Sequence, residues 1–343
     1  MGRTNIEWCS DTLNPVRGCF PISPGCEKCY AMRLAATRLR HHPKYEGLAT
    51  YDGRPRWTGE VQLDIDVMRE VLTWKKPRTC FLCDMSDLFY EKVPDTVIMA
   101  VLGFCAAAPD HRFYILTKRA DRMRQWFADL QTDDDGPGHD HLGHRLLAVV
   151  GEAAAALAVD EDDHERAYDL LAERVPSNTW PLPNVWLGVS AEDQERVDER
   201  VGQLRECPAA ARFVSYEPAL GPVDLSKHMW PVHSTWPAKY KSPEEAVAAG
   251  AVVTRHRQGL VSTYANFIDW VIVGAESGPG ARAVETKWAR SVRDQCADAD
   301  VAFYLKQWTE GEGIAWPTTD RGTLVSLPLL DGVQHAAFPV RTP

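Results

Sequence analysis

The chain has 343 residues, of which 45% are hydrophobic and 25% charged, which suits one large domain or two ordinary ones. The chain contains no run of about 18 apolar residues, so we expect no membrane span. The first residues lack the apolar segment of a secretory signal. We therefore expect a cytoplasmic protein without a membrane partner. In such a chain, nine cysteines indicate reduced thiols or metal ligands rather than a disulfide framework.

The formal net charge of −10 is distributed unevenly. Residues 131–170 hold eleven acidic residues against two arginines, so the rest of the chain carries only −1. Residues 28–56 include seven lysines and arginines. They form either an ordinary solvated surface or a surface that faces phosphates, so the acidic balance of the whole chain does not exclude a nucleic-acid partner.

Short apolar runs alternate with amphipathic stretches along the chain. Six runs rich in β-branched and aromatic residues predict strands buried on both faces, and they span residues 78–84, 111–118, 184–190, 211–218, 269–278 and 301–308. The segment "TLNPVRG" predicts an earlier strand. Amphipathic stretches predict helices at 94–108, 119–130, 192–206 and 285–299. This alternation predicts an α/β fold with a parallel sheet, either open or closed into a (β/α) barrel.

Two segments break the alternation, at residues 131–183 and 226–266. We interpret both as insertions in a barrel domain that spans residues 1–308, and we expect the fold to tolerate removal of residues 131–175. Residues 309–343 are predicted to form a loop-rich C-terminal cover. His139, His141 and His144 resemble a metal-binding cluster, but their Gly- and Asp-rich surroundings are typical of a solvated loop.

Polar residues follow each of the six apolar runs. They are Asp84, Ser86 and Asp87, then Lys118 and Arg119, then Ser190, Glu192 and Asp193, then Glu217, then Glu276, Ser277 and Gly278, and finally Lys306 and Gln307. In a parallel barrel the carboxyl ends of the strands face one way and carry the active site. The sequence therefore predicts a shared polar mouth at these strand ends.

The stretch "VRGCFPISPGCEKCYAMR" places Cys19, Cys26 and Cys29 in the spacing C-x6-C-x2-C. Three thiolates on one loop can hold three irons of a [4Fe–4S] cluster and leave the fourth iron open to a small-molecule ligand. The predicted helix that starts near Cys29 would place the anionic cluster at a helix N-terminus, which is favourable.

A structural zinc site is the first alternative, and it needs four ligands. The second cysteine pair, Cys80 and Cys83, lies in a predicted buried strand whose alternation would point the two side chains to opposite faces. We therefore predict that both are core residues, together with Cys105, Cys207 and Cys296. A zinc-stabilised nucleic-acid-binding protein without catalysis stays open.

A three-cysteine loop after the first strand of a βα chain resembles the radical S-adenosylmethionine (SAM) enzymes, whose common spacing is C-x3-C-x2-C. Here the first gap has six residues, and the aromatic Tyr30 follows the last cysteine. Four segments resemble a narrower group, a phage- and bacteria-encoded three-cysteine radical-SAM-like family, over about residues 5 to 308. They are "IEWCSDTLNPVRGCFPISPGCEKCYA", "FVSYEPALGPVDL", "WVIVGAESGPGAR" and "FYLKQW". Some members of that family act in phage thymidine hypermodification, where they isomerise a glycine-bearing thymine in DNA.

The resemblance implies a parallel, partial (β/α) barrel of TIM-barrel type in which Cys19, Cys26 and Cys29 bind a [4Fe–4S] cluster. It also implies that SAM binds the open iron. A one-electron reductant such as flavodoxin or ferredoxin then drives cleavage of SAM to methionine and a 5′-deoxyadenosyl radical, which abstracts hydrogen from the substrate. The implied substrate is a modified DNA base or a nucleotide, with a peptide or protein as the alternative. The location would be the host cytoplasm if a phage encodes the chain.

The strand-end residues receive roles under this resemblance. Asp84, Ser86 and Asp87 would bind the SAM ammonium group. Lys118 or Arg119 would pair with its carboxylate, and Ser190 and Glu217 would bind its ribose. Glu276 and Ser277 would face SAM or the substrate as catalytic residues. An aromatic residue such as Trp57, Trp74 or Trp308 would either stack on a base flipped out of a duplex or pack in the core.

Overall fold

The computed structural model describes residues 2–4, 6–130, 141–158, 160–175, 180–229, 254–255, 261–262, 267–277, 280–310, 313–315, 318–320 and 323–339. His139, most of the predicted insertion 226–266 and Gly278 lie outside the described residues. So do the side chains of His141 and His144.

An eight-stranded sheet forms the centre of the fold, and its strands neighbour one another in chain order. They are β1 (Gly2–Arg3), β2 (Asp11–Leu13), β3 (Thr79–Leu82), β4 (Arg112–Thr117), β5 (Val185–Ser190), β6 (Ala211–Tyr216), β7 (Trp270–Val273) and β8 (Ala302–Leu305). Strands β2 to β8 pair in parallel, and β1 pairs antiparallel with β2. The seven parallel strands curl into a half barrel flanked by helices.

Seven α-helices accompany the sheet in the described residues. They are α1 (Tyr30–Ala36), α2 (Asp95–Ala106), α3 (Ala120–Asp129), α4 (His141–Leu157), α5 (Glu161–Ala172), α6 (Gln194–Glu206) and α7 (Thr286–Asp298). The predicted strands and helices are confirmed as elements, because every apolar run contains a strand and every predicted helix is present. Strands β5, β6 and β7 are buried at every residue, as expected of strands covered on both faces.

Short 3-10 helices and two-stranded antiparallel pairs lie outside the central sheet. Single turns of 3-10 helix lie at Pro24–Cys26 and Ser226–His228, and a longer one at Ile65–Thr73. Antiparallel pairs join Val16–Arg17 to Gln62–Leu63, Ala49–Tyr51 to Pro55–Trp57, and Thr254–Arg255 to Val261–Ser262. The described part of the C-terminal cover contains three further small pairs, which join Trp308–Glu310 to Gly313–Ala315, Thr318–Asp320 to Thr323–Ser326, and Leu329–Leu330 to Val333–Gln334.

The concave side of the sheet is filled by aromatic side chains. Trp186 and Trp270 are buried there, with their ring centroids 6.2 Å apart. Gly188 permits this packing, because a Cβ at that position would lie only 2.4 Å from the ring of Phe213. Phe338, from the C-terminal cover, lies 5.0 Å from Trp270. The aromatic cluster therefore closes one side of the half barrel.

Helix α4 packs against α2 in the layer outside the sheet. Val149 and Ala153 of α4 are fully buried. The two helices approach closely at Gly103 of α2, where a Cβ would lie 2.0 Å from the carbonyl oxygen of Val149. The acidic segment thus contributes an apolar face to the helical layer. No helix in the described parts of the chain is long and apolar enough to cross a membrane.

Candidate functional site

A cavity of about 580 Å³ lies at the carboxyl ends of the parallel strands. Glu192 and Asp193, which the sequence predicts for the polar mouth, do not line it. The residues predicted to bind the cluster, SAM or the substrate through thiols or polar groups do line it: Cys19, Cys26, Cys29, Asp84, Ser86, Asp87, Lys118, Ser190, Glu217, Glu276 and Ser277. The fold brings these residues together because strands β3 to β7 all end at the same edge of the sheet. The roles that the sequence assigns to them stay predictions.

The three cysteines lie on the loop that leaves β2 and enters α1. Cys26 ends the turn Pro24–Cys26, and the backbone N–H of Cys29 donates to its carbonyl over 3.3 Å. Cys29 directly precedes α1. All three are partly exposed and line the cavity, whereas the other six cysteines of the chain are buried. The loop therefore presents three accessible thiols on one wall.

The surroundings of Cys19 and Cys29 favour the protonated thiol in the free protein. Burial and the charge of Asp87 together raise the pKa of Cys19 to about 12, against the opposing effect of Arg119. Burial also raises the pKa of Cys29, against backbone amides and the positive charge of Lys118. Binding of a metal group would release these protons, since thiolates are the ligands.

Arg119 holds the cysteine loop to the end of β4. Its guanidinium donates to the carbonyl oxygen of Phe20 over 2.8 Å and contacts the Sγ of Cys19 at 3.7 Å. It also pairs with Asp87 at 3.2 Å and with Glu91 at 3.0 Å. The arginine side chain is only 3% exposed. Its donors are thus occupied by the loop and by two carboxylates.

Glu192, just after β5, holds the middle of the same loop. Its Oε1 accepts the backbone N–H of Gly25 over 3.0 Å, and its Oε2 pairs with Arg200 at 3.2 Å. Burial alone would raise the pKa of Glu192, but Lys118, Ser23 and Arg200 outweigh that effect and lower it. The carboxylate is therefore charged and fully enclosed beneath the loop.

Arg282, from the segment after β7, holds the far side of the loop. Its guanidinium donates to the carbonyl oxygen of Pro24 over 2.9 Å and pairs with Glu27 at 3.1 Å. It also donates to both carboxylate oxygens of Glu276. Lys28 lies 3.9 Å from Glu276. The carboxylate predicted as catalytic is thus tied to the loop through cations.

A series of hydrogen bonds between polar side chains runs along the cavity from the end of β4 to the end of β8. Lys118 Nζ donates to Ser190 Oγ over 2.9 Å, and Ser190 Oγ donates to the carbonyl oxygen of Glu217 over 3.1 Å. The Oε1 atom of Glu217 accepts from Lys306 Nζ at 2.8 Å and from Gln307 Nε2 at 2.6 Å. These hydrogen bonds link the carboxyl ends of β4, β5, β6 and β8.

The two aspartates after β3 differ in their partners. Asp87 accepts from the backbone N–H groups of Phe89 and Lys118, from the hydroxyl of Thr117 and from Arg119. Asp84 accepts from Asn14 Nδ2 at 2.5 Å, and the hydroxyl of Tyr30 lies 3.4 Å from its other oxygen. Burial raises the pKa of Asp84 despite these bonds. Asp87 therefore pairs with a cation, whereas the donors around Asp84 (Asn14, Tyr30, Thr12 and its own backbone amide) are all neutral.

Several cavity residues had no assigned role in the sequence. Glu7 and Tyr30 line the cavity, although neither follows a predicted strand of the sheet. Arg282 contacts the cysteine loop from a distant part of the chain, so the sequence does not predict this contact. Lys306 and Gln307, the polar residues after the last apolar run, line the cavity as the sequence predicts.

The aromatic residues suggested for base stacking differ in position. Trp57 lines the cavity, whereas Trp308 is 3% exposed in the core and Trp74 packs against the core. Neither Trp74 nor Trp308 lines the cavity. Of the two alternatives, packing in the core is therefore the one that applies to Trp74 and Trp308. The aromatic side chain exposed at the cavity is Phe20, on the cysteine loop itself, at 52%.

The cysteines predicted as core residues, Cys80, Cys83, Cys105, Cys207 and Cys296, are all buried, so that prediction is confirmed. The expectation that Cys80 and Cys83 both lie within the strand holds for Cys80 alone, because β3 ends at Leu82. Cys83 leaves the strand with a φ of 63°, which breaks the alternation. The described residues contain no group of three His, Cys, Asp or Glu arranged around one metal ion. Thiolates of a [4Fe–4S] cluster bind different irons and stand farther apart than such ligands.

Residues 3–339 match the model of a family described as "Protein of unknown function (DUF5131)". The chain belongs to this family. The match covers nearly the whole chain, including the cysteine loop, all strand ends at the cavity and the described part of the C-terminal cover. Searches of curated proteins and of solved structures give no match.

Proposed function

We propose that this protein is a radical SAM enzyme whose Cys19, Cys26 and Cys29 bind a [4Fe–4S] cluster. One observation carries the proposal: three accessible thiols from a single loop share a cavity with the eight other predicted site residues. That cavity lies at the edge of the sheet where parallel (β/α) barrels hold their active sites. We further propose that the half barrel is a partial barrel of the TIM type.

The cysteine loop fits such a group. Arg119, Glu192 and Arg282 hold it at three points from three different strand ends, so the thiols are fixed relative to the sheet. A bound cluster requires ligand thiols that are held in fixed orientations by the residues around them. When bound, the cluster and SAM supply a one-electron cleavage that yields methionine and a 5′-deoxyadenosyl radical, with the electron drawn from a donor such as flavodoxin or ferredoxin.

Lys118 is the better partner for the SAM carboxylate. Its Nζ donates to Ser190 Oγ alone within the described part of the chain, so N–H groups remain for a ligand. The donors of Arg119 are occupied by the loop and by carboxylates. We therefore assign the carboxylate to Lys118 and the positioning of Cys19 to Arg119.

Asp84 is the better partner for the SAM ammonium group. Its buried carboxyl has only neutral donors around it, and a cation beside it would offset the cost of its burial. Asp87 already accepts four hydrogen bonds, so we assign it to the support of Arg119. Ser86 donates to the carbonyl oxygen of Val16 over 2.7 Å, which leaves its oxygen lone pairs for the ammonium group.

The ribose of SAM is assigned to Ser190 and Glu217. The Oε1 atom of Glu217 accepts from two protein donors, so its Oε2 is left for a hydroxyl group. Glu276 is neutralised by Arg282, and we assign it to the support of the loop. Ser277 lines the cavity and presents its hydroxyl to SAM or the substrate.

The proposed substrate is a modified base in DNA or a nucleotide-like precursor, as the resemblance implies. Two features support a polyanionic partner at this mouth. Lys28 lines the cavity with a partly exposed side chain, in the basic segment 28–56. Of the acidic residues that the structure describes between 141 and 170, none lines the cavity.

The test of the cluster is anaerobic purification followed by iron and sulfide analysis. The wild type should be brown and should show a broad absorption near about 400 nm. Replacing Cys19, Cys26 and Cys29 by Ala should abolish iron binding. A matched control replaces the buried Cys105, Cys207 and Cys296 by Ala and should keep the iron. Full iron content in the first triple variant, or a colourless zinc-containing wild type, would refute the proposal.

The test of the substrate follows 5′-deoxyadenosine by chromatography. Reduced enzyme is incubated with SAM and with phage-type modified DNA, free nucleotides or candidate peptides in separate reactions. Formation of 5′-deoxyadenosine that depends on nucleic acid, with salt-sensitive DNA binding, would support the proposal. Turnover with a peptide and with no nucleic acid would assign the enzyme to peptides instead.

A further inference from the structure

One wall of the cavity carries polar side chains to which no direct contact with a cluster or SAM is assigned. Glu7 reaches this wall from the segment between β1 and β2, and Lys306 and Gln307 reach it from the end of β8. They belong to the segments "IEW" and "LKQW". These residues therefore require another explanation.

Lys306 is a fixed cation on this wall. Its Nζ donates to Glu217 Oε1 over 2.8 Å, and the side chain is 18% exposed. Burial would lower the pKa of Lys306, but Glu217 and Glu7 together raise it. The ammonium group therefore keeps its charge, and Glu217 holds it in place with one bond while its other N–H groups remain for a ligand.

Glu7 is a carboxyl with an unsatisfied oxygen. Its Oε2 is shielded from solvent and finds no hydrogen-bond partner among the residues that the structure describes. Burial raises the pKa of Glu7, while Lys306 lowers it. A buried polar atom without a partner is costly, and a ligand that supplies the missing bond recovers that cost.

The charges on this wall restrict the chemistry of a ligand. A phosphate or carboxylate would meet Glu7, Glu217 and Asp84, which all line the cavity. An ammonium group would meet Lys306. A neutral edge that carries a hydrogen-bond donor beside an acceptor satisfies both kinds of side chain. Such charge-assisted bonds are about twice as strong as neutral ones.

We infer that Glu7 and Lys306 bind the imide or lactam edge of a nucleobase, with Lys306 donating to a ring carbonyl and Glu7 accepting from the neighbouring ring N–H. The inference rests on the proposed function and adds a base-recognition subsite to it. In a ring, the N–H and C=O groups lie on the same edge, with N and O roughly 2.3 Å apart from amide bond lengths. An imide N–H is also a better donor to a carboxylate than an exocyclic amine.

A peptide backbone does not fit this wall equally well. A trans peptide points its N–H and C=O in opposite directions, so one peptide unit cannot pair with both side chains. A glutamine side chain has the right edge but no ring. Trp8, Phe81 and Leu116 line the same cavity with apolar surface, which suits a flat ring. The combination favours a base.

The subsite is tested by binding to the full-length protein, purified anaerobically, in equilibrium dialysis with nucleosides. Thymidine should bind, and N3-methylthymidine, which lacks the ring N–H, should bind about tenfold more weakly or worse. Glu7→Leu and Lys306→Met should each weaken thymidine binding by about tenfold. In Glu7→Leu the preference for thymidine over its methylated analogue should disappear.

Two exposed positions outside the cavity provide matched controls. Glu195→Leu and Lys227→Met should bind thymidine like the wild type, since their side chains are 80% and 58% exposed and do not line the cavity. Circular dichroism melting checks that each variant folds. If Lys306→Met does not fold, because Glu217 loses its partner, the nearly isosteric Glu7→Gln decides the matter and should also weaken thymidine binding.

Equal affinity of the wild type for thymidine and N3-methylthymidine would overturn the inference. So would wild-type thymidine binding by the Glu7 variants, no nucleoside binding at millimolar concentrations, or binding of a glutamine-containing peptide in place of nucleosides. Iron content and SAM cleavage are measured on the same preparations. A protein without iron that still discriminates the ring N–H would sink the radical SAM proposal and keep the subsite, whereas an iron-containing enzyme without that discrimination would do the reverse.

Discussion

The guanidinium of Arg119 reaches the Sγ of Cys19 at 3.7 Å while it donates to the neighbouring carbonyl oxygen of Phe20. It is also stacked over the ring of Tyr90, with 4.6 Å between the guanidinium carbon and the ring centroid. One side chain thus joins the thiol loop to the carboxyl end of β4. Arginine suits this position because its planar fork serves several acceptors at once.

We expect Arg119→Ala to destabilise the protein by about 3–5 kcal/mol, since it leaves Asp87 buried without its cation. Arg119→Lys should keep the charge but lose the fork, with a smaller loss of stability. Because hydrogen bonds to the sulfurs help to set the potential of a bound cluster, the lysine variant should show a more negative reduction potential. Denaturant unfolding and a redox titration measure the two effects.

Arg122 on α3 is the matched control. It donates to the carbonyl oxygens of Tyr90 and Val93 and pairs with Asp95, but it makes no contact with the cysteine loop. Arg122→Lys should therefore leave the potential unchanged. An identical shift of potential in both lysine variants would show that Arg119 acts through the fold in general and not through Cys19.

The second prediction concerns Gly25, which lies against Glu192. A Cβ at Gly25 would be 2.9 Å from the carboxyl carbon of Glu192, so Gly25→Ala must displace either the loop or the carboxylate. We expect a loss of about 1–3 kcal/mol in stability and reduced iron binding. Gly202→Ala on α6 meets no atom within 4 Å and should be neutral or stabilising by up to about 1 kcal/mol. Iron content of Gly25→Ala equal to that of the control would contradict the role of Glu192.

The strand ends could be predicted because the physical signal is local. A strand buried on both faces is a continuous apolar run, and the polar residues after it lie at one edge once the strands are parallel. The sequence thus predicts that Asp84, Ser190, Glu217 and Glu276 meet at one edge of the sheet, and all four line the cavity. The sequence does not predict which carboxylates are free for a ligand.

The partners of those carboxylates depend on loop geometry, which has no periodicity in the sequence. Asp84 and Asp87 come from the same segment, yet only Asp87 pairs with a cation, because the end of β4 places Thr117 and Arg119 beside it. Arg282 meets Glu27 across 255 positions of chain. Glu7 lay outside the pattern altogether, because it precedes the first parallel strand. Such contacts follow from the tertiary fold alone.

The third prediction concerns the acidic segment. The sequence predicts that the fold tolerates removal of residues 131–175. However, α4 packs closely on α2, so a deletion would expose the apolar surface around Gly103. We therefore expect such a deletion to reduce soluble expression and lower the melting temperature. A deletion variant that melts at the same temperature as the wild type would show that α2 is stable without α4 packed against it.

Two glycine-to-alanine substitutions test the same packing without removing a segment of the chain. Gly103→Ala should destabilise the protein by about 1–3 kcal/mol, because its Cβ would overlap the carbonyl oxygen of Val149. Gly151→Ala, on α4 but with no atom within 4 Å, should be neutral or slightly stabilising. Thermal melts of both variants decide whether the α2–α4 contact is as close as described.

The last prediction concerns His228, which is 5% exposed and far from the cysteine loop in sequence. Neither ring nitrogen finds a hydrogen-bond partner among the described residues. Burial lowers the pKa of His228 to about 4, with Lys227 and Arg205 lowering it further and Asp198 and Asp224 opposing them. An imidazole with a depressed pKa in the folded state binds its proton more readily when the chain unfolds. Its neutral form therefore supports the fold fully above the unfolded pKa of about 6.5, and that support is lost as the pH falls towards 4.

We expect the wild type to lose up to about 3 kcal/mol of stability through this group between pH 7.5 and pH 4. His228→Leu should remove that part of the pH dependence, so the melting temperatures of wild type and variant should diverge as the pH falls, in favour of leucine. The exposed His42, replaced by Leu, is the control and should leave the pH dependence unchanged. Parallel melting curves for wild type and His228→Leu over this range would show that the buried imidazole is not the group that titrates.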